Sequence, residues 1–129
     1  MLLSSGKVVV TGANCAALVS SDFGSCEAML SNTQYAIQKL ALISDDLLVL
    51  GTTSAPRIVL INPNTLELIS PQWDVSHKTS VVGILKDGEG GCWTIDDGGT
   101  CLHLTARGKK VGLPPRVAIC YRRPRFVLL

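Results

Sequence analysis

Leu48-Val49-Leu50-Gly51, a short gap, and then Arg57-Ile58-Val59-Leu60-Ile61 form the stretch on which the fold turns. The same plan returns 44 residues later as Cys92-Trp93-Thr94-Ile95, a gap, and Cys101-Leu102-His103-Leu104-Thr105. Both copies read as strand, turn, strand: short apolar runs bounded by turn residues. Self-similarity at this period marks a repeat architecture, in which one unit buries its apolar face only against the next. Laid over each other, 48–69 and 92–113 share only Leu60 and Leu104. The likeness therefore lies in pattern and turn placement.

On either side of this stretch, strand signals fill most of the chain. Lys7 to Thr11 is β-branched and stops at Gly12-Ala13-Asn14, and Ala16 to Ser20 runs into Asp22-Phe23-Gly24 and out through Ser25 to Leu30, as a hairpin does. Between Ser31 and Ile43 the apolar positions fit either period, and Ser31 or Asn32 could cap a short helix there. Asp45-Asp46, Ser54-Ala55-Pro56 and Asn62-Pro63-Asn64 are turns, with a further strand from Thr65 to Ile69. Ser80 to Leu85, Cys92 to Ile95 and Thr100 to Thr105 repeat the plan between glycine-rich reversals. A last pair, Arg116 to Tyr121 and Arg125 to Leu129, follows Pro114-Pro115, which cannot donate to a ladder. The expected fold is all-β, built of antiparallel meanders in a single domain over 1–129, with units at about 37–69 and 81–113.

The stretch Leu47 to Ile69 resembles a blade of a WD-repeat or related β-propeller: a strand, a turn, an apolar strand ending in a turn residue, and a short outer strand Leu66-Glu67-Leu68-Ile69. Ile61-Asn62 stands where that family places its tryptophan-aspartate pair, and Trp73-Asp74 carries the literal dipeptide outside that position. The resemblance implies blade-like units of an incomplete β-propeller, since two fuller and two partial copies fall short of the four or more blades that close a ring. Three readings stay open: a portion of a larger propeller, an open array completed by another chain, or a compact β-sandwich or barrel.

Composition narrows the class. At 47% apolar and 17% charged residues the chain is not of disordered type, and its apolar runs are too short to cross a bilayer. Met1-Leu2-Leu3 opens no signal-peptide pattern, and five cysteines, an odd number without zinc-knuckle or redox spacing, read as small buried apolar residues. An intracellular location, cytoplasmic or nuclear, is expected, without a Cys15–Cys26 or Cys92–Cys101 disulfide.

Charge is segregated. Residues 1–97 hold all ten acidic side chains against five basic ones, a net of −5, whereas 98–129 hold seven basic and no acidic side chains. Arg107, Lys109, Lys110, Arg116, Arg122, Arg123 and Arg125 are candidate contacts for an anionic partner, set against the simpler reading of solvated turns and strand faces.

Catalytic patterns do not hold up. Val8-Val9-Val10-Thr11-Gly12-Ala13-Asn14 resembles the opening strand of a short-chain dehydrogenase, and Tyr35-Ala36-Ile37-Gln38-Lys39 has that family's tyrosine-lysine spacing. A dinucleotide loop needs further glycines for the backbone to approach a pyrophosphate, however, and Ala16 and Leu18 stand in their place. The tyrosine also follows too soon for the intervening βα units. His77 and His103 lie outside zinc spacings, and His103, alternating with Leu102 and Leu104, belongs on the polar face of a strand. Asp96-Asp97-Gly98-Gly99 is hairpin chemistry. No enzyme activity, cofactor or metal is expected.

Two function classes follow. The first is a non-enzymatic protein-interaction module or scaffold, its partner another chain or a self-associated copy covering the open edge, with Trp73 as candidate anchor and Trp93 equally suited to strand packing. The alternative is binding of nucleic acid or another anionic surface, but not a membrane, through the basic C-terminal quarter, with steep salt dependence.

Overall fold

A computed structural model describes residues 1–31, 35–55, 57–70, 72, 77–105, 110–111, 117–119 and 126–128, with backbone alone for the last three segments. Every strand in it pairs with its neighbour in sequence. β1 (Val8–Thr11), β2 (Ala16–Val19) and β3 (Cys26–Leu30) make the first sheet; β4 (Ile37–Ser44), β5 (Leu47–Thr52) and β6 (Ile58–Ile61) make the second. The third holds β7 (Val81–Lys86), β8 (Cys92–Asp96), β9 (Cys101–Leu104) and β10 (Lys110–Val111), and the fourth is the pair β11 (Val117–Ile119) and β12 (Phe126–Leu128). All pairings are antiparallel, and no strand crosses from one sheet to another. Successive meanders of this kind are propeller blades; they do not have the Greek-key exchange usual in a sandwich. Among the described residues the sheets do not close into a ring.

The second sheet explains its own sequence. Leu48, Leu50, Val59 and Ile61 point to one side and join Val9, Ala16 and Leu18 of the first sheet in a core that also takes in Leu3 and Leu66. Val49, Ile58 and Leu60 point to the other side and pack with Ile43, and with Val81, Cys92 and Leu104 of the third sheet. A sheet covered on both faces reads as an unbroken apolar run rather than an alternating one. Each of these large side chains, fully buried, is worth about 1.5–3 kcal/mol of transfer free energy. Stacking the sheets side by side is therefore the main stabilising event.

The internal echo is real but not uniform. Leu48 pairs with Ile61 and Cys92 with Leu104, so the β5-to-β8 offset is 44 and the β6-to-β9 offset is 43. The second hairpin connection is one residue shorter, four residues between β8 and β9 against five between β5 and β6. Leu60 therefore corresponds to His103, which faces Trp93 as Leu60 faces Val49, and the shared leucine of the sequence comparison is out of register.

Three local expectations change. The segment open to a short helix is strand from Ile37, because pairing along β5 outweighs local preference. The strand expected from Thr65 to Ile69 is reduced to a single bridge, Ile61 to Leu68, since Leu66 closes a turn onto the Asn62 carbonyl with φ +59°. Arg57 also lies outside its strand, at φ +66°, and β6 begins only at Ile58.

Candidate interaction surface

Between the second and third sheets lies a buried polar chain. His77, just ahead of β7, sets Nδ1 3.0 Å from Asp96 Oδ2 and Nε2 2.6 Å from Thr94 Oγ1. A neutral ring protonated on Nδ1 donates to the carboxylate and accepts from the threonine hydroxyl, satisfying both neighbours. Asp96 also receives the Thr100 amide at 2.8 Å, which closes the β8–β9 hairpin. Burial works to raise the Asp96 carboxyl, but hydrogen bonds from His77 and Thr100 prevail and hold it below the usual carboxylate range. Arg57 Nη1 donates to the His77 carbonyl at 3.1 Å, and the Ser80 hydroxyl to the Thr53 carbonyl, pinning the second sheet to the entry of the third.

A hydroxyl, an imidazole and a carboxylate in this order have the connectivity of a nucleophilic relay. Here Thr94 is fully enclosed and His77 and Asp96 are buried, so no substrate reaches the hydroxyl. The chain joins sheets. In the sequence His77 is weighed only against zinc spacings and Asp96 only as part of a hairpin turn; nothing local links them, because 17 residues separate the ring from Thr94.

A second cluster sits on the opposite face of the third sheet. Trp93 and His103, directly paired across β8 and β9, stack with ring centroids 3.7 Å apart and planes 15° from parallel. His103 Nε2 lies 2.8 Å from Asp87 Oδ2, while Asp87 Oδ1 accepts the Glu89 and Gly91 amides. Burial raises and these bonds lower the Asp87 carboxyl, with a net fall. His103 thus lies on the strand face away from Leu102 and Leu104, as its alternation with them anticipates. That face also carries the buried Ile95 and Cys101 and is not a polar one, and Trp93 packs within its own sheet.

The first sheet presents the open surface. Val9, Ala16 and Leu18 face the second sheet, so alternation sends Val8, Val10, Ala17, Val19 and Met29 to the other side. They meet as cross-strand sets: Val10 opposite Ala17 opposite Met29, and Val8 opposite Val19. Val10 is 51% exposed and Met29 63%. Leu2 is exposed as well, and Phe23, 71% exposed, stands at the tip of the β2–β3 turn with φ +60°. That tip is braced. Asp22 Oδ1 accepts the Ser20 hydroxyl and the Gly24 amide, bonds that draw the carboxyl below its ordinary range. An apolar sheet face like this one is the kind of surface that binds another polypeptide.

Of the residues singled out in the sequence, Trp73, Arg107, Lys109, Arg116, Arg122, Arg123 and Arg125 lie outside the described residues. The backbone of Lys110 pairs with Leu104 at the start of β10. Cys15, Cys26, Cys92 and Cys101 are free thiols. Burial pushes the Cys92 thiol up to about 12 and Cys101 up to about 11, each helped by a neighbouring aspartate. Among the described residues no cluster of three or more His, Cys, Asp or Glu side chains is placed to hold a metal ion, and no helix is long and apolar enough to cross a membrane.

No protein-family model and no curated protein sequence matches the chain. Among solved structures it is similar to the WD40 β-propeller domain of Doa1, with a TM-score of 0.61 and 15% identity over 84% of this chain. The match spans 36% of that propeller domain. The fold is that of consecutive WD40-like propeller blades.

Proposed function

We propose that this chain is a non-enzymatic protein-interaction module, in which 1–129 form one all-β scaffold with blade-like units at about 37–69 and 81–113, and the first sheet, ahead of them, presents the binding surface. The observation that carries the reading is the apolar outer face of the first sheet: Val8, Val10, Ala17, Val19 and Met29 across three strands, with Val10 and Met29 more than half exposed. Scattered exposed apolar residues are ordinary on a protein surface; a contiguous cross-strand set is not. Blades elsewhere in the molecule bury the corresponding side chains against the next sheet. The two histidine-carboxylate clusters serve packing, which leaves the exposed face as the feature to explain. Four free thiols among the described residues suit a reducing, intracellular setting.

The test is binding of an environment-sensitive apolar dye to the native chain, and its loss on Val10→Lys with Met29→Lys. If the free face is the binding surface, the pair removes most of the dye signal, or releases whatever polypeptide covers the face, without altering the far-ultraviolet circular dichroism. Dye binding equal in both proteins would reject the reading.

A further inference from the structure

We infer that Asp97-Gly98, at the tip of the β8–β9 hairpin, is a site of spontaneous isoaspartate formation, and that the fold shields the same dipeptide at Asp87-Gly88. The modification needs no enzyme and no co-reactant but water, and it does not depend on what the first sheet binds.

The sequence contains Asp-Gly at these two places and nowhere else. In the reaction the Gly98 amide nitrogen attacks Asp97 Cγ. A C–N bond forms, the bond from Cγ to the carboxyl hydroxyl breaks, and the amide proton leaves with that hydroxyl as water. Water then opens the succinimide ring at either carbonyl. Opening at Cγ restores aspartate; opening at the main-chain carbonyl leaves the chain running through Cβ and Cγ, one carbon longer, with the α-carboxylate free. Glycine favours the attack, because no β-carbon shields its nitrogen and its backbone turns readily.

The two dipeptides sit in turns of the same sheet but are held differently. Asp97 and Gly98 are exposed, and among the described residues neither a hydrogen bond nor an ion pair engages the Asp97 carboxylate. The Gly98 amide makes one bond, to the Thr79 hydroxyl at 3.2 Å. Bringing this nitrogen onto the carboxyl sacrifices that bond and strains the turn bond from Gly99 to Asp96, but it strips nothing from the carboxylate itself. At Asp87 both carboxylate oxygens are engaged, Oδ2 by His103 at 2.8 Å and Oδ1 by the Glu89 amide at 2.6 Å and the Gly91 amide at 3.0 Å. The electrophile is the protonated carboxyl. Burial raises the Asp87 carboxyl, but these bonds prevail and hold it below the usual range, so its reactive form is scarcer still.

The extra carbon enters a constrained place. The Asp97 amide donates to the Ser80 carbonyl at 3.0 Å, and the Ser80 hydroxyl to the Thr53 carbonyl at 3.1 Å, so the turn is tied to the seam between the second and third sheets. Its neighbour Asp96 holds the Thr100 amide and His77. Isomerisation at Asp97 therefore loosens the joint between these sheets as the chain ages.

Incubation of the full chain at neutral pH and body temperature in water enriched in heavy oxygen tests this, because each succinimide that opens leaves one heavy oxygen in its peptide. Chymotryptic cleavage after Trp93 separates the two dipeptides for mass spectrometry. The Asp97 peptide should gain label at least tenfold faster than the Asp87 peptide, and the urea midpoint should fall with it. Asp97→Glu, whose larger ring closes far more slowly, should lose that label and keep its midpoint. His103→Phe keeps a ring against Trp93 but frees Asp87 Oδ2, and should raise labelling at Asp87 several-fold. In the urea-unfolded chain the two peptides should label alike. Equal rates in the folded chain, or no label at Asp97, would overturn the site. A bias that persists in urea, or no rise in His103→Phe, removes the shielding; labelling at an unchanged midpoint removes the loosening.

Discussion

A β-carbon placed on Gly51 would stand 2.8 Å from Val81 Cγ1 and 3.2 Å from Val81 Cβ, so these two residues set how closely the second and third sheets approach. Gly51 lies at the end of the apolar run of β5, opposite Ile58, and Val81 opens β7 with no exposed surface. The branched valine is stiff about χ1, so it cannot swing aside without moving β7.

Gly51→Ala should therefore destabilise the chain, although a strand glycine would ordinarily gain from the change. Overpacking of this kind costs about 1–3 kcal/mol. Urea unfolding should show a lowered midpoint at constant slope, and Val81→Ala should restore part of the loss in the double variant. Additive effects would mean that the two positions do not meet.

The buried chain His77–Thr94 and His77–Asp96 should be costly to break from the middle. His77→Leu removes the donor to a buried carboxylate and the acceptor for a buried hydroxyl at once, and unsatisfied groups of this type cost about 1–3 kcal/mol each, more when charged. The expected loss is about 3 kcal/mol or more. Thr94→Val, which removes only a hydroxyl and keeps the shape, should cost about 1–2 kcal/mol. Equal losses in both variants, measured by chemical denaturation, would show that Asp96 finds another partner.

Acid stability follows from the same carboxylates. Asp96 and Asp87 are both held below the ordinary value of 3.8 in the folded chain. A depressed folded pKa stabilises the native state fully above the unfolded value, about 3.9, and that contribution fades as pH falls through the folded values. The midpoint of unfolding should thus drop below about pH 4. In Asp96→Asn the acid limb should be shallower, because one of the protons taken up on unfolding is gone. An identical slope would assign the acid sensitivity elsewhere.

How much of this could be read from residues alone depends on where each constraint lies. The second sheet was legible because Leu48 to Leu50 and Ile58 to Ile61 are local runs, and burial on both faces makes them continuous. The antiparallel meanders were legible from turns at Asp45-Asp46 and Asp97-Gly98-Gly99. Register was not: the shorter β8–β9 connection changes the offset by one residue, and only pairing shows that His103 rather than Leu104 corresponds to Leu60. His77 was hidden for another reason. Its role is set by Thr94 and Asp96 on a strand that reaches it only after the third sheet folds. The open face of the first sheet lay in plain sequence as alternate positions of β1 to β3, yet Val8-Val9-Val10 looks the same whether one face is buried or two.

Thiol reactivity should separate along burial. Cys26 is exposed, whereas Cys92 and Cys101 are buried with thiols pushed up to about 12 and about 11. Only the thiolate attacks an alkylating reagent, so at pH 8 the two strand cysteines of the third sheet present a negligible reactive fraction. Brief treatment of the native chain with iodoacetamide should modify Cys26 at least tenfold faster than Cys92 or Cys101, read by peptide mass spectrometry. Adding denaturant should remove the difference, because burial is its principal cause. Early modification of Cys92 in native buffer would mean that the packing of Cys92 with Val81 and Leu104 opens readily. The stacked sheets would then be less tightly joined than the close approach of Gly51 to Val81 requires.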